Sequence, residues 1–368
     1  MTSHTLIIGG GVSGLSVAFE LLARGERVTV LERGRVGAES SWAGGGILSP
    51  LLPWDYPEAV TTLALRSMAA YVDWVARVEA ASGVETEFWR CGLLALGVAD
   101  AGAALDWCAT HGMPATRDCP PGSLAAIGCG VDSVWLPDIA QVRNPRLVEA
   151  LHTAVSRLGG TVHEQCEANA LETCGGRVAA VVQTSLGPIA ADRVVLAAGA
   201  WSTLGIGQLA GMPQVRPIRG EMLLFKLPPG RLEAVVYCNR HYLIPRLDGH
   251  LLVGSTLEDA GFDKSFDDEA ARALHAEAAA LLPELSGQAP ERRWTGLRPG
   301  APDNVPIIDR HPDYDNVFVN TGHFRYGVTM APAAAELLAD LMTGTTPALD
   351  TAPYRWQAAL ARRWRTGS

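Results

Sequence analysis

Leu6-Ile7-Ile8-Gly9-Gly10-Gly11-Val12-Ser13-Gly14, continuing through Leu15, Ala18, Phe19 and Leu22 to Val28-Thr29-Val30-Leu31-Glu32, is the stretch from which the fold is read. Leu6-Ile7-Ile8 is a short apolar run bounded by glycine, the pattern of a buried parallel strand. Residues 9–14 fit G-x-G-x-x-G, and the apolar residues after them recur at helical spacing. A second β-rich run, residues 28–31, ends in an acid. The glycine motif alone is unspecific. Strand, glycine turn, helix, strand and acid, in that order within about 30 residues, form a dinucleotide-binding unit. Gly9 permits the tight turn, Gly11 lets the backbone approach a pyrophosphate, and Gly14 lets the helix pack on the strand. The helix N-terminus faces the phosphates. Glu32 can accept from a ribose hydroxyl, and an acid there argues against a 2′-phosphate. It does not separate FAD from NAD.

Composition bounds the remaining choices. At 368 residues the chain holds two to three units of about 150 residues. With 48% apolar and 19% charged residues it buries a substantial core, which excludes disorder. The 39 glycines and 23 prolines are scattered, not periodic, which excludes a collagen-like chain. A net charge of −9 without a Lys/Arg run excludes a basic nucleic-acid surface. Seven cysteines without a C-x-x-C pair argue against a disulfide framework or a thiolate metal site, and fit a reducing cytoplasm. The histidines are dispersed, so no metal site is expected. Residues 5–19 lack the basic flank of a signal peptide. Residues 194–215 are long and uncharged enough to span a bilayer. They are broken by Gly199, Gly205, Gly207, Gly211 and Pro213, and read as a buried strand with a glycine-rich loop.

Further segments bear on the cofactor. Ser40-Ser41-Trp42-Ala43-Gly44-Gly45-Gly46-Ile47-Leu48 offers three glycines whose backbone can press on a flat ring, and two hydroxyls that can bond phosphate. Taken alone, an ordinary loop explains it equally well. Residues 193–202 form another apolar strand ending in small residues. Thr295-Gly296-Leu297-Arg298-Pro299-Gly300 precedes a strand at 317–320, then Gly322-His323-Phe324-Arg325-Tyr326-Gly327. A helix is expected over 331–342, with Pro332 in its first turn, where proline is tolerated. Its positive end would stabilise the anionic N1 edge of a reduced flavin.

In these segments, and in Pro217-Ile218-Arg219-Gly220-Glu221 and Tyr242-Leu243-Ile244-Pro245-Arg246, the chain resembles the glycine oxidase branch of the D-amino-acid oxidase family of FAD-dependent amine oxidases, which includes a thiamine-pathway enzyme. The matching pieces span nearly the whole chain in the family's order. The resemblance implies an α/β fold, a Rossmann-like FAD domain interleaved with an α+β substrate domain containing a mixed or antiparallel sheet. Residues 1–50, 140–210 and 295–345 would form the FAD domain, 51–139 and 211–294 the substrate domain, and 346–368 a C-terminal tail. Helices are expected at 59–81 and 267–282, and short strands at 222–225, 242–244 and 251–253. Residues 108–142 read as loop.

FAD would then contact Gly9, Gly11, Val12, Ser13, Gly14, Glu32, Arg33, Ser40, Ser41, Gly45, Gly46, Ile47, Ala168, Gly199, Trp201, His323, Phe324, Arg325, Tyr326, Gly327, Val328 and Thr329. No cysteine follows Cys238, so a cysteinyl flavin of the sarcosine-oxidase kind has no residue there, and FAD is expected to be noncovalent. Arg298 matches the family's carboxylate anchor, a task suited to the planar guanidinium fork. Arg325 matches a second arginine nearby, and Tyr242 a hydroxyl that assists placement. Ile47 and Leu257 stand where relatives have methionine lining the pocket. Tyr326 departs from a position that is often Asn, which bears on substrate size.

The reaction implied is oxidative deamination of glycine or a related small amino acid or secondary amine by oxygen, with hydrogen peroxide as product and no dedicated acid/base residue. Sarcosine, small D-amino acids and iminodiacetate-like amines are alternatives whose ranking turns on pocket volume. A dehydrogenase passing electrons to a quinone or carrier is the second reading. A flavin- or NAD-binding sensor is the third, and the two arginines with a tyrosine weigh against it. A cytoplasmic enzyme without a membrane span completes the expectation; the sequence itself is silent on oligomeric state, and the resemblance implies a homo-oligomer, tetramer or dimer.

Overall fold

Residues 6–8 do form a buried central strand. In the computed structural model, which describes residues 3–118, 122, 127, 130–174, 177–204 and 211–364, His4–Ile8 is flanked by two parallel partners, Arg27–Leu31 and Arg193–Leu196. Thr161–His163 extends the sheet beyond Arg27–Leu31, and Val317–Thr321 beyond Arg193–Leu196. Ile307–Arg310 closes that edge antiparallel, making six strands. Both faces of the central strand are covered, as its unbroken apolar run requires. Ile7, Val30 and Val195 point to the helices Val12–Ala23, Glu58–Ser82, Asn144–Arg157 and Gly327–Thr343. Leu6, Ile8, Leu31, Val194 and Leu196 point the other way, toward Leu171, Val182 and Trp356 of a three-stranded antiparallel sheet and the helix Trp356–Ala361. Alternation of side chains along each strand produces this division.

The second sheet has seven strands in the order Arg292–Gly300, Arg216–Lys226, His250–Gly254, His241–Pro245, Val235–Cys238, Leu93–Ala95 and Val134–Leu136. All neighbours are antiparallel except Val235–Cys238 with Leu93–Ala95, so the sheet is mixed. Leu223, Phe225, Leu243 and Val253 bury one face against the helix Asp268–Leu281. Met222, Tyr242, Ile244 and Leu252 lie on the opposite face. Asp267 caps that helix, its carboxylate accepting from the Glu269 and Ala270 amides at 2.9 and 3.1 Å.

Several boundaries differ from those expected. The helix Glu58–Ser82 packs against Gly327–Thr343 and Asn144–Arg157 in the core of the first sheet, through Val60, Leu63, Tyr71 and Val75. Arg292–Gly300 pairs with Arg216–Lys226, so the passage from second sheet to first follows residue 300. Within 108–142, Val134–Leu136 and Ala140–Gln141 are short strands. Cys119, Cys129, Gly205 and Gly207 lie outside the described residues.

The last long helix begins at Gly327, a turn earlier than its apolar pattern implied, which puts Pro332 inside it. Proline cannot donate to the carbonyl four residues back. The Tyr71 hydroxyl supplies that bond instead, donating to the Val328 carbonyl at 3.1 Å, and Ser67 Oγ accepts from the Ala333 amide at 3.3 Å. Both come from Glu58–Ser82. Among the described residues no helix is long and apolar enough to cross a membrane.

Candidate active site

Between the two sheets lies a cavity of about 340 Å³. Its first end is built by the opening motif. Gly9 adopts φ +113°, and a Cβ there would stand 2.3 Å from the Ala197 carbonyl oxygen. A Cβ at Gly14 would lie 2.0 Å from the Gly9 oxygen, so Gly14 serves helix–strand packing and is not on the cavity wall. Gly11, Val12 and Ser13 are on it, at a helix N-terminus whose Val12 amide donates to Ser41 Oγ at 2.9 Å. Glu32 accepts from the Gly10 and Gly34 amides at 2.9 and 2.8 Å, which orients its carboxylate along the wall. The Arg33 guanidinium stacks on Trp201, 4.0 Å from the ring centroid.

Residues 40–47 form one side. Ser40, Ser41, Gly44, Gly45, Gly46 and Ile47 all line the cavity. Gly46 adopts φ +75°, where a Cβ would collide with the Val142 carbonyl at 2.1 Å. Asn144 Nδ2 donates to the Ser41 carbonyl at 2.9 Å and Thr329 Oγ1 to the Ile47 carbonyl at 3.0 Å. Thr329 therefore ties the loop to the start of the helix Gly327–Thr343.

The far end is framed by the second sheet. Met222 and Tyr242 both pair with Gly254, and the missing side chain there lets the Tyr242 hydroxyl reach Met222 Sδ at 3.5 Å. Arg298 is half-buried, one side of its guanidinium open to the cavity. Nη2 donates to Ser255 Oγ at 2.6 Å, and Nη1 to the Arg219 and Thr256 carbonyls, each at 3.3 Å. No carboxylate among the described residues pairs with it. Burial pulls its pKa down, and the Tyr242 hydroxyl partly offsets this. An enclosed cation with only neutral partners is ready for an anion.

Arg325 stands nearby. Burial opposes its charge, but the Tyr326, Tyr56 and Tyr242 hydroxyls hold its pKa above the usual value. Tyr326 and Tyr56 share a hydroxyl–hydroxyl hydrogen bond, their rings edge-on at 5.0 Å. His323 is buried on the same wall, with Ser13 Oγ 3.5 Å from Nδ1 and no partner for Nε2 among the described residues.

Of the residues singled out in the sequence, Ala168, Gly199, Trp201, Phe324, Tyr326, Gly327 and Val328 also line the cavity. Leu257 does not; it lies half-buried next to Thr256, whose carbonyl accepts from Arg298, and Met222 is on the wall. Sequence reasoning passed over Met222, Asn144 and Tyr56. Each enters through long-range pairing, and only the unusual glycine at 254 hinted at the gap that Met222 and Tyr242 share.

These residues fit FAD. Two helix N-termini, at Val12 and Gly327, open onto one cavity without a cap from their own N-cap side chains. Such termini attract phosphate and other anionic groups. A carboxylate stands at the second strand end, and the glycine loop leaves a flat wall.

Comparison with known proteins agrees. Residues 4–341 match the family described as DAO, FAD dependent oxidoreductase. Glycine oxidase of Pseudomonas aeruginosa is 43% identical over 96% of this chain and 98% of its own length. The bifunctional protein ThiO/ThiG of Synechocystis is 35% identical over 93% of this chain and 52% of its own. The crystal structure of glycine oxidase from Geobacillus kaustophilus superposes with a TM-score of 0.85 at 27% identity, covering 96% and 99% of the two chains. The chain belongs to the DAO family of FAD-dependent oxidoreductases.

Proposed function

We propose that this FAD-dependent amine oxidase acts on glycine, or on a small amine of similar size bearing one carboxylate. The balance is glycine, oxygen and water giving glyoxylate, ammonia and hydrogen peroxide. Bound FAD supplies a two-electron acceptor that passes its electrons to oxygen. The residues of the chain bind and orient. Arg298 grips the carboxylate through its open guanidinium face, and the Tyr242 hydroxyl steadies the same group. Met222 and Ile47 contribute apolar wall that keeps water from the reacting carbon. No carboxylate among the described residues pairs with Arg298 or Arg325; the substrate amine enters neutral and no side chain takes the Cα proton. The bulk of Tyr326, braced by Tyr56, favours a small substrate.

The observation that carries this reading is the unpaired Arg298 guanidinium beside Tyr242 in the cavity that fits FAD. Similarity to glycine oxidases supports the choice of amine, and the free Cys91, Cys108, Cys166 and Cys238 support a reducing cytoplasm. Arg298→Ala raises the KM for glycine about a hundredfold with FAD still bound. An unchanged KM overturns the assignment.

A further inference from the structure

Behind the glycine loop, outside the cavity wall, lies an arginine that the proposed reaction does not use. Arg246 follows the strand His241–Pro245 and is 5% exposed. Its Nη2 donates to the Gly45 carbonyl at 3.0 Å. Nη1 donates to the Val142 carbonyl at 3.0 Å and to Gln141 Oε1 at 2.5 Å. No carboxylate among the described residues pairs with it. Glu87 and Asp248, the nearest acids acting on it, are engaged by Arg143 at 3.1 and 2.9 Å. Burial pushes its pKa down to about 10, so it stays charged at neutral pH. Enclosing an unpaired cation is costly, and packing alone would favour an apolar residue.

Peptide geometry shows what the contact does. The Gly45–Gly46 bond is trans, so its carbonyl and N–H point in opposite directions. Arg246 draws the Gly45 carbonyl away from the cavity and thereby turns the Gly46 N–H toward it. One residue on, the Gly46 carbonyl accepts from the Val142 amide at 2.9 Å, which turns the Ile47 N–H the same way. Neither N–H donates to an acceptor among the described residues. The loop is close to Tyr242: a Cβ at Gly45 would lie 3.5 Å from Tyr242 Cε2.

We propose that Arg246 is a positioning residue for electron acceptance. Its fork holds the glycine loop so that the Gly46 and Ile47 amides, backed by an unneutralised positive charge, meet the flavin at the substrate end of the cavity. This rests on the FAD amine-oxidase reading above. Preorganised donors and a fixed charge favour the negative charge that reduction places on the ring.

Arg246→Met, purified with FAD, tests this. The FAD dissociation constant rises about tenfold, the flavin midpoint potential becomes more negative, and reduction by glycine slows about tenfold. The KM for glycine moves less than about twofold, because Arg298 and Tyr242 are untouched. Wild-type FAD affinity and potential in a folded Arg246→Met protein overturn the proposal. Should that variant fail to fold, amide exchange in the wild-type protein decides it. FAD loading protects Gly46 and Ile47, and unchanged exchange at both refutes the proposal. A wild-type protein that binds FAD but is not reduced by any small amine would instead sink the proposed function.

Discussion

The guanidinium of Arg298 occupies the space that a side chain at Gly220 would fill: a Cβ there would lie 2.0 Å from Nη1. The two residues sit diagonally across paired strands, Gly220 opposite Gly296 and Arg298 opposite Ile218. The anchor is thus shaped by a glycine that itself lines the cavity. Its long arm gives way more readily than the sheet does.

Gly220→Ala accordingly displaces the guanidinium and weakens the grip on the carboxylate. A hydrogen-bonded charge contributes about 1.5–3 kcal/mol, so the KM for glycine rises about 10- to 100-fold. FAD affinity stays as it was, because Gly220 lies at the substrate end. Steady-state kinetics beside a flavin titration measure both, and an unchanged KM contradicts the placement of Arg298.

Tyr71 and Pro332 form a second dependent pair. Tyr71→Phe leaves the part-buried Val328 carbonyl without its donor, costing about 1–3 kcal/mol of stability. Pro332→Ala restores an amide that can reach the same carbonyl, so Tyr71→Phe costs less in that background. Urea denaturation of the four proteins gives the coupling. Equal costs in both backgrounds would show that the hydroxyl does not stand in for the missing amide.

Burial holds His323 neutral, with its pKa lowered to about 4 from the ordinary 6.5. The unfolded chain therefore takes up a proton between pH 6.5 and 4 that the folded chain refuses. Stability is full above 6.5 and falls as pH drops toward 4, by roughly 3 kcal/mol from this residue alone. His4, His241 and His311 are shifted the same way, so the comparison must be with His323→Asn. Thermal melting of the FAD-free proteins from pH 7 to 4 shows a shallower fall for the variant. Parallel curves would mean that His323 charges freely in the fold.

What was legible from the chain alone follows from sequence distance. Gly9, Gly14 and Glu32 belong to one local unit, whose order declares strand, turn and helix. Arg298 and Tyr242 were reached through motifs, not physics, since an isolated arginine in a strand has many uses. Met222, Tyr56 and Asn144 were hidden because each meets the site through contacts between remote segments. Leu257 shows the converse, a position aligned with a pocket residue that this fold leaves off the cavity wall. The last long helix starts earlier than its apolar pattern implies because its first turn, residues 327–330, opens with a glycine and holds the polar Thr329. Pro332 then looked like an N-terminal residue, and only Tyr71, some 250 residues earlier, makes its interior place tolerable.

Anaerobic titration of the FAD-loaded protein with glycine tests the central claim most directly. The account predicts loss of the visible flavin absorbance, its return on admitting air, and one hydrogen peroxide for each glyoxylate formed. A flavin that stays oxidised in the presence of glycine and other small amino acids would contradict it.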